Sequence, residues 1–171
     1  GVSYRLFRIQ IGPNQTLSNQ VFTGSMAGFG GDLMLQGGKV IIGGFSGQLR
    51  SITGSTQSII NLTNPATRAV AAGSFRTASG PASVFGAQDG RLYWPAGDAL
   101  TGVLMTGGVY GIGSGHEYDY LAGYDGAVAK INIYNRGFLV GSMGEGILQN
   151  PSDVLVMTAP EPGAVIGLGA G

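Results

Sequence analysis

Glycine-rich turns divide this chain into short segments that read as β-strands. Glycine makes up 33 of the 171 residues, against about 7% in ordinary globular domains. The pairs Gly-Gly at 37–38 and 43–44, Asp-Gly at 89–90 and 125–126, and the run NPSD at 150–153 separate the segments. Many short strands at this spacing predict an all-β fold, a glycine-rich antiparallel β-sandwich or barrel.

The clearest strands form a hairpin over residues 127–143. Ala129, Ile131 and Ile133 fall on one face of its first strand, which we expect to be buried in the main core. The turn at 135–137 ends in a glycine that can take a positive φ, and residues 138–143 return.

Other segments also carry strand patterns. The run VSYRLFRIQI near the start changes the phase of its alternation between Leu6 and Phe7, which indicates a bulge or a strand covered on both faces. Further strands are predicted at 32–35, 39–42, 48–53, 91–94, 102–105, 117–121 and 153–158.

One segment carries helix signals, and we expect at most one short helix, over 65–72. Asn64 can cap it, Pro65 suits its first position, and Gly73 follows its end. The alternative for this segment is a loop followed by a strand over 69–75.

The composition favours self-association and excludes several function classes. Charged residues make up 11% of the chain and the formal net charge is zero, and low net charge promotes association. The nine Lys and Arg residues are scattered, so we expect no nucleic-acid partner. The chain has no cysteine, which rules out disulfides and thiolate metal sites.

The run SGHEYDYLAGYDG contains the only histidine, His116, together with Glu117, Asp119 and Asp125. An ion site here would need more imidazole or thiolate ligands for zinc, or another spacing of oxygens for calcium. We favour a solvated strand face that carries Tyr118 and Tyr120. Because a serine-based triad would depend on His116 alone, we predict no catalytic centre, no metal and no cofactor.

Aromatic residues are the candidate binding groups. Tyr93 and Trp94 lie side by side before a proline, and Tyr118 and Tyr120 share one face of a predicted strand. Exposed, these four residues could stack on a sugar ring or contact a neighbouring subunit. A core tryptophan at a strand end is the alternative for Trp94.

The C-terminal sequence TAPEPGAVIGLGAG contains the triplet Pro160, Glu161 and Pro162, followed by small and branched apolar residues. It resembles the start of the PEP-CTERM sorting signal of exported bacterial envelope and matrix proteins. The resemblance implies recognition by an exosortase and a location that is secreted or on the bacterial cell surface. The rest of the membrane span and the basic cluster of that signal are missing, so we expect no membrane anchoring of the chain as given.

These features predict a single β domain over 1–158 and an apolar tail over 159–171. We expect a structural subunit of an extracellular assembly, a filament, sheath or biofilm matrix, whose tail packs Val165, Ile166 and Leu168 on a neighbouring subunit. The alternative is a monomeric cell-surface module that binds carbohydrate or another ligand. An enzyme is the least favoured class.

Overall fold

A computed structural model describes residues 31–44 and 46–156 in full, and also the backbone of two strands nearer the N-terminus. Within this part of the chain there are strands and turns but no helix. In chain order the strands are β1 (Val2–Ile9), β2 (Leu17–Met26), β3 (Leu33–Gln36), β4 (Lys39–Gly43), β5 (Gln48–Thr53), β6 (Thr56–Asn61), β7 (Ala69–Thr77), β8 (Gly80–Ala87), β9 (Leu92–Tyr93), β10 (Val109–Ser114), β11 (Asp119–Asp125), β12 (Val128–Asn135) and β13 (Phe138–Met143).

The strands pair only with their neighbours in sequence and form antiparallel sheets. One hairpin joins β1 to β2, β3–β6 and β10–β13 each form a four-stranded meander, and β7–β9 form a three-stranded sheet. The predicted all-β sandwich is confirmed, and the sheets do not close into a barrel.

The turn and hairpin predictions agree with the structure. The hairpin of β12 and β13 turns at Arg136 and Gly137, both of which have positive φ. In β1 the pairing register shifts between Leu6 and Phe7, where the alternation changes phase, so the predicted bulge is confirmed. Residues 102–105 and 153–156, predicted as strands, are instead turns and irregular chain.

The predicted helix over 65–72 is absent, and the loop-then-strand alternative is correct. The Asn64 side chain accepts a hydrogen bond from the Ala66 amide at 3.1 Å, but this cap opens a turn that does not continue. The strand β7 begins at Ala69 and pairs with β8, which buries Ala69 and Ala71. Pairing and burial therefore override the helix propensity of the alanines.

The β7–β9 sheet contributes to two hydrophobic clusters, because successive residues of a strand point to opposite faces. On one face, Phe75 and Val84 pack with Ile112, Leu121 and other residues from the β10–β13 side. On the other face, Phe85 belongs to a cluster with residues of the β3–β6 sheet. This second cluster contains Ile41, Leu49, Leu62, Ala69, Phe85, Ala87 and Tyr93.

The prediction that the Ala129, Ile131 and Ile133 face of the hairpin lies in the main core is wrong. Ala129 is buried, but Ile131 and Ile133 are only half-buried, and the core-facing residue at the end of β12 is Tyr134. Its ring meets that of Phe75 edge to face at 5.5 Å. Lys130 shares this core-facing side and is accommodated because its ammonium lies 2.8 Å from a carboxylate oxygen of Asp125.

Candidate functional site

The aromatic residues expected to share a binding surface lie in three different places. Tyr93 is fully buried in the core, so its assignment to a surface is wrong. Trp94, the next residue, is 38% exposed and lines a groove beside the β3–β6 sheet. Tyr118 and Tyr120 line a second groove on the β10–β13 sheet. Trp94 and the tyrosine pair are therefore two separate candidate sites.

Tyr93 is held in the core by the carboxylate of Asp89. The Tyr93 hydroxyl donates to Asp89 Oδ2 at 2.5 Å, and the Asn64 amide donates to the same oxygen at 2.8 Å. Burial alone would raise the pKa of Asp89, but these hydrogen bonds and the charge of Arg91 outweigh it and lower the pKa. Burial and the bond to Asp89 raise the pKa of Tyr93 to about 12. The cluster fastens β9 to the loop at Asn64, which is a structural role.

The Trp94 groove combines one aromatic ring with polar groups. Its volume is about 500 Å³. Trp94 lies at the end of β9, where its amide donates to the Asp98 carbonyl at 2.8 Å and closes a tight turn. The groove is lined by Gln36, Lys39, Ile41, Ser51, Ile60, Trp94, Pro95, Ala96 and Asp98.

The second groove lies on the face of the β10–β13 sheet opposite the core. Tyr120 follows the buried Asp119, and Ile133 precedes the buried Tyr134, so strand alternation places both Tyr120 and Ile133 on this outer face. The groove measures about 630 Å³ and is mainly apolar. Its lining is Tyr118, Tyr120, Ile133, Asn135, Phe138, Val140 and Gly141. We call it the outer-face groove.

One wall of the outer-face groove is the edge strand β13. Among the described strands it pairs with β12 alone, and Phe138, Leu139 and Val140 are 72%, 59% and 56% exposed. None of its six residues is charged or proline. The sequence pattern predicts this strand but not that it forms an open edge of the sheet. The uncharged run Phe-Leu-Val next to a turn is the sequence feature that indicates such an edge.

The chain returns over the opposite edge of the same sheet. The Tyr124 hydroxyl donates to the Gln149 carbonyl at 2.9 Å, and residues 153–156 then run along the outer face of β10. Glycine is required beneath them, since a Cβ added at Gly111 would fall 2.6 Å from the Asp153 Cα. A Cβ at Gly113 would fall 2.8 Å from Val156. This segment covers β10 and leaves the outer-face groove open among the described residues.

The acidic run near His116 is the predicted solvated face only in part, since His116 and Glu117 are exposed but Asp119 is not. Asp119 is fully buried, and its carboxylate accepts hydrogen bonds from the Arg76 amide at 2.7 Å and from the Ser114 hydroxyl at 2.5 Å. The Arg76 guanidinium also lies 3.3 Å from Asp119 and donates to the carbonyls of Gly115 and His116. Arg76 and Asp119 are 43 residues apart, so no local pattern could reveal the pair. Within residues 31–44 and 46–156, no three His, Cys, Asp or Glu side chains are grouped as a metal site would require.

The outer face of the β3–β6 sheet is buried at its centre and exposed along its edge strands. Ile42, Arg50 and Ile52 are buried. Leu33, Leu35 and Ile59 share this face through their pairing with β4 and β5, and they are 50%, 77% and 53% exposed. The Nε and Nη1 atoms of Arg50 have no hydrogen-bond partner in the part of the chain that the structure describes. The Trp94 groove and the outer-face groove with its edge strand remain the two candidate sites.

The remaining predicted site residues lie outside the described residues. These are the triplet Pro160, Glu161 and Pro162 and the proposed contact residues Val165, Ile166 and Leu168. In the described part of the chain, no helix has the length and apolarity to cross a membrane. The chain matches no protein-family model and no curated protein.

Proposed function

We propose that this protein is a structural subunit of an extracellular assembly, a filament, sheath or biofilm matrix built from copies of itself. The observation that carries the proposal is the edge strand β13, which is uncharged, free of proline and exposed. Natural proteins usually protect such edges with charges, prolines or covering loops, because an open apolar edge pairs with other chains. β13 has one bulge, at Val140, but no charge or proline. An edge left open in this way is suited to regular association.

Three further features of the chain support the same proposal: its low charge, the outer-face groove and its C-terminal sequence. Its formal net charge is zero and only 11% of its residues are charged, so copies repel one another little. The outer-face groove places further apolar side chains beside β13. The resemblance of residues 160–162 and the following segment to a PEP-CTERM signal supports export to the bacterial surface or beyond. We propose no enzymatic role.

Light scattering of the full-length chain at rising concentration tests the proposal. We expect the apparent mass to grow far beyond that of one chain. Val140→Lys, which puts a charge on β13, should suppress this growth. The matched control is Val103→Lys, the same substitution at a 49%-exposed position in a loop outside the strands. A mass that stays at one chain at every concentration would refute the assembly.

A second candidate function is carbohydrate binding at the Trp94 groove. The specific observation is an exposed indole beside the polar side chains of Gln36, Lys39 and Asp98, and sugars are bound by aromatic stacking combined with hydrogen bonds. Trp94 is the only tryptophan, so a titration with surface oligosaccharides should change its fluorescence directly. No change in fluorescence, or unchanged oligosaccharide retention by Trp94→Ala in affinity electrophoresis, would exclude this site.

A further inference from the structure

We propose that the free edge of β13 and the outer-face groove are the acceptor for residues 164–171 of a second copy of this chain, added as an antiparallel strand. The inference rests on the proposed function, since it assigns the contact through which the subunits associate. The occupant is a specific segment, which distinguishes this contact from general apolar association.

The backbone of β13 provides the first part of the acceptor. Its pairing with β12 uses one side of the strand, and no backbone group among residues 31–44 and 46–156 pairs with the other side. An incoming strand would be held there by a ladder of main-chain hydrogen bonds, the interaction by which extended segments add to open sheet edges. The absence of charge on β13 lets an apolar strand approach without burying an unpaired ion.

The groove provides the second part, because it selects side chains on one face of the added strand. Ile166 and Leu168 are two residues apart and would share a face in an extended segment, while Gly167 and Gly169 would lie on the other face. Phe138 and Val140 wall the groove next to the open edge, and Tyr120 and Ile133 line it farther in. Two aliphatic side chains on one face therefore match an apolar groove beside the edge.

The position of Val156 favours a second copy over the same chain. The described chain ends on β10, heading from Gly111 towards Gly115, whereas an antiparallel addition to β13 must start beside Met143. The acceptor position lies four strand spacings from β10, about 19 Å across the sheet. It also lies about 10 Å back along the strands. The two displacements combine to about 21 Å. This is most of the distance, at most about 25 Å, that residues 157–163 span when fully extended, and the chain would also have to reverse direction. A neighbouring copy faces no such limit.

Disulfide trapping tests the inference on the full chain, which has no cysteine of its own. Phe138→Cys, Val140→Cys and Met143→Cys proteins are each mixed with a size-tagged Ile166→Cys protein under mild oxidation. The control is Leu35→Cys, which places the thiol at a 77%-exposed position on β3, the edge strand of another sheet. We expect one acceptor position to give mixed dimers about tenfold above this control, because docking raises the effective concentration of the two thiols. The chain carrying both Val140→Cys and Ile166→Cys should form few internal links at high dilution.

Yields equal to the Leu35→Cys control at all three positions would overturn the inference. Efficient internal closure of the double variant at high dilution would also overturn it, since the groove would then hold its own tail. Light scattering of the unmodified chain separates the two proposals. Growth in mass without mixed dimers refutes this contact and leaves the assembly standing, whereas mixed dimers without growth in mass support the contact and refute the assembly.

Discussion

Replacement of Asp119 by alanine should be among the most destabilising single changes in this protein. Its side chain is 1% exposed and lies 3.3 Å from the Arg76 guanidinium. It also accepts hydrogen bonds from the Arg76 amide and the Ser114 hydroxyl. The carboxylate thus ties β7, the end of β10 and the start of β11 together.

The size of the loss follows from what the substitution leaves behind. Breaking a buried ion pair by removing one partner costs about 3–5 kcal/mol. The Arg76 side chain is 20% exposed and keeps its bonds to the carbonyls of Gly115 and His116, which reduces the penalty. We therefore expect Asp119→Ala to lower the free energy of unfolding by about 3 kcal/mol, the lower end of that range.

Urea unfolding followed by circular dichroism measures this loss. The matched control is Asp98→Ala, which removes the same group from an exposed position, and it should change stability by less than about 0.5 kcal/mol. A loss below about 1 kcal/mol for Asp119→Ala, near the net value of one ordinary hydrogen bond, would show that Asp119 and Arg76 do not act as a buried ion pair.

Two further predictions concern the outer face and the core. Gly111→Ala would place a Cβ 2.6 Å from the Asp153 Cα, so it should displace residues 153–156 and raise their hydrogen exchange. The control Gly102→Ala has open space around it and should leave their exchange unchanged. Equal exchange in the two variants would contradict the contact between Gly111 and Asp153. The pKa of Tyr93 is raised to about 12 in the folded protein, above about 10 in the unfolded chain. Its stabilising contribution is therefore fully present below about pH 10 and lost as the pH rises to about 12. Urea midpoints measured across this range should fall less steeply in Tyr93→Phe than in the parent, and identical slopes would show that Tyr93 does not cause the decline.

Local patterns were enough to predict much of the fold. The alternating hairpin, the turn at Gly137 and the phase change at Leu6 each depend on a few neighbouring residues, and each has its counterpart in the structure. Strand alternation also placed Tyr118 and Tyr120 on one side, and both line the outer-face groove.

The fold predictions fail where contacts between residues far apart in the sequence determine the structure. The segment 65–72 has genuine helix signals, but pairing with β8 makes its second half a strand. Alternation in β12 gave two candidate faces, and counting apolar residues selected the wrong one. Lys130 can occupy the core-facing side because Asp125, in the adjacent strand, pairs with its charge.

The candidate sites show the same division between local and distant information. Tyr93 and Trp94 are adjacent, yet Tyr93 is buried, with its hydroxyl hydrogen-bonded to Asp89, while Trp94 is exposed. The partnership of Asp119 with Arg76 spans two sheets, and no spacing in the sequence encodes it. Conversely, the exposure of β13 depends on which strands flank it, which the sequence does not state.

Negative-stain electron microscopy of the full-length chain, its Val140→Lys variant and its Val103→Lys control shows whether the open edge of β13 drives assembly. We expect extended or sheet-like assemblies for the parent and the Val103→Lys control, and single small particles for Val140→Lys, because only that change charges the open edge beside the outer-face groove. Single particles in all three samples, or the same assemblies in all three, would contradict a role of β13 in assembly.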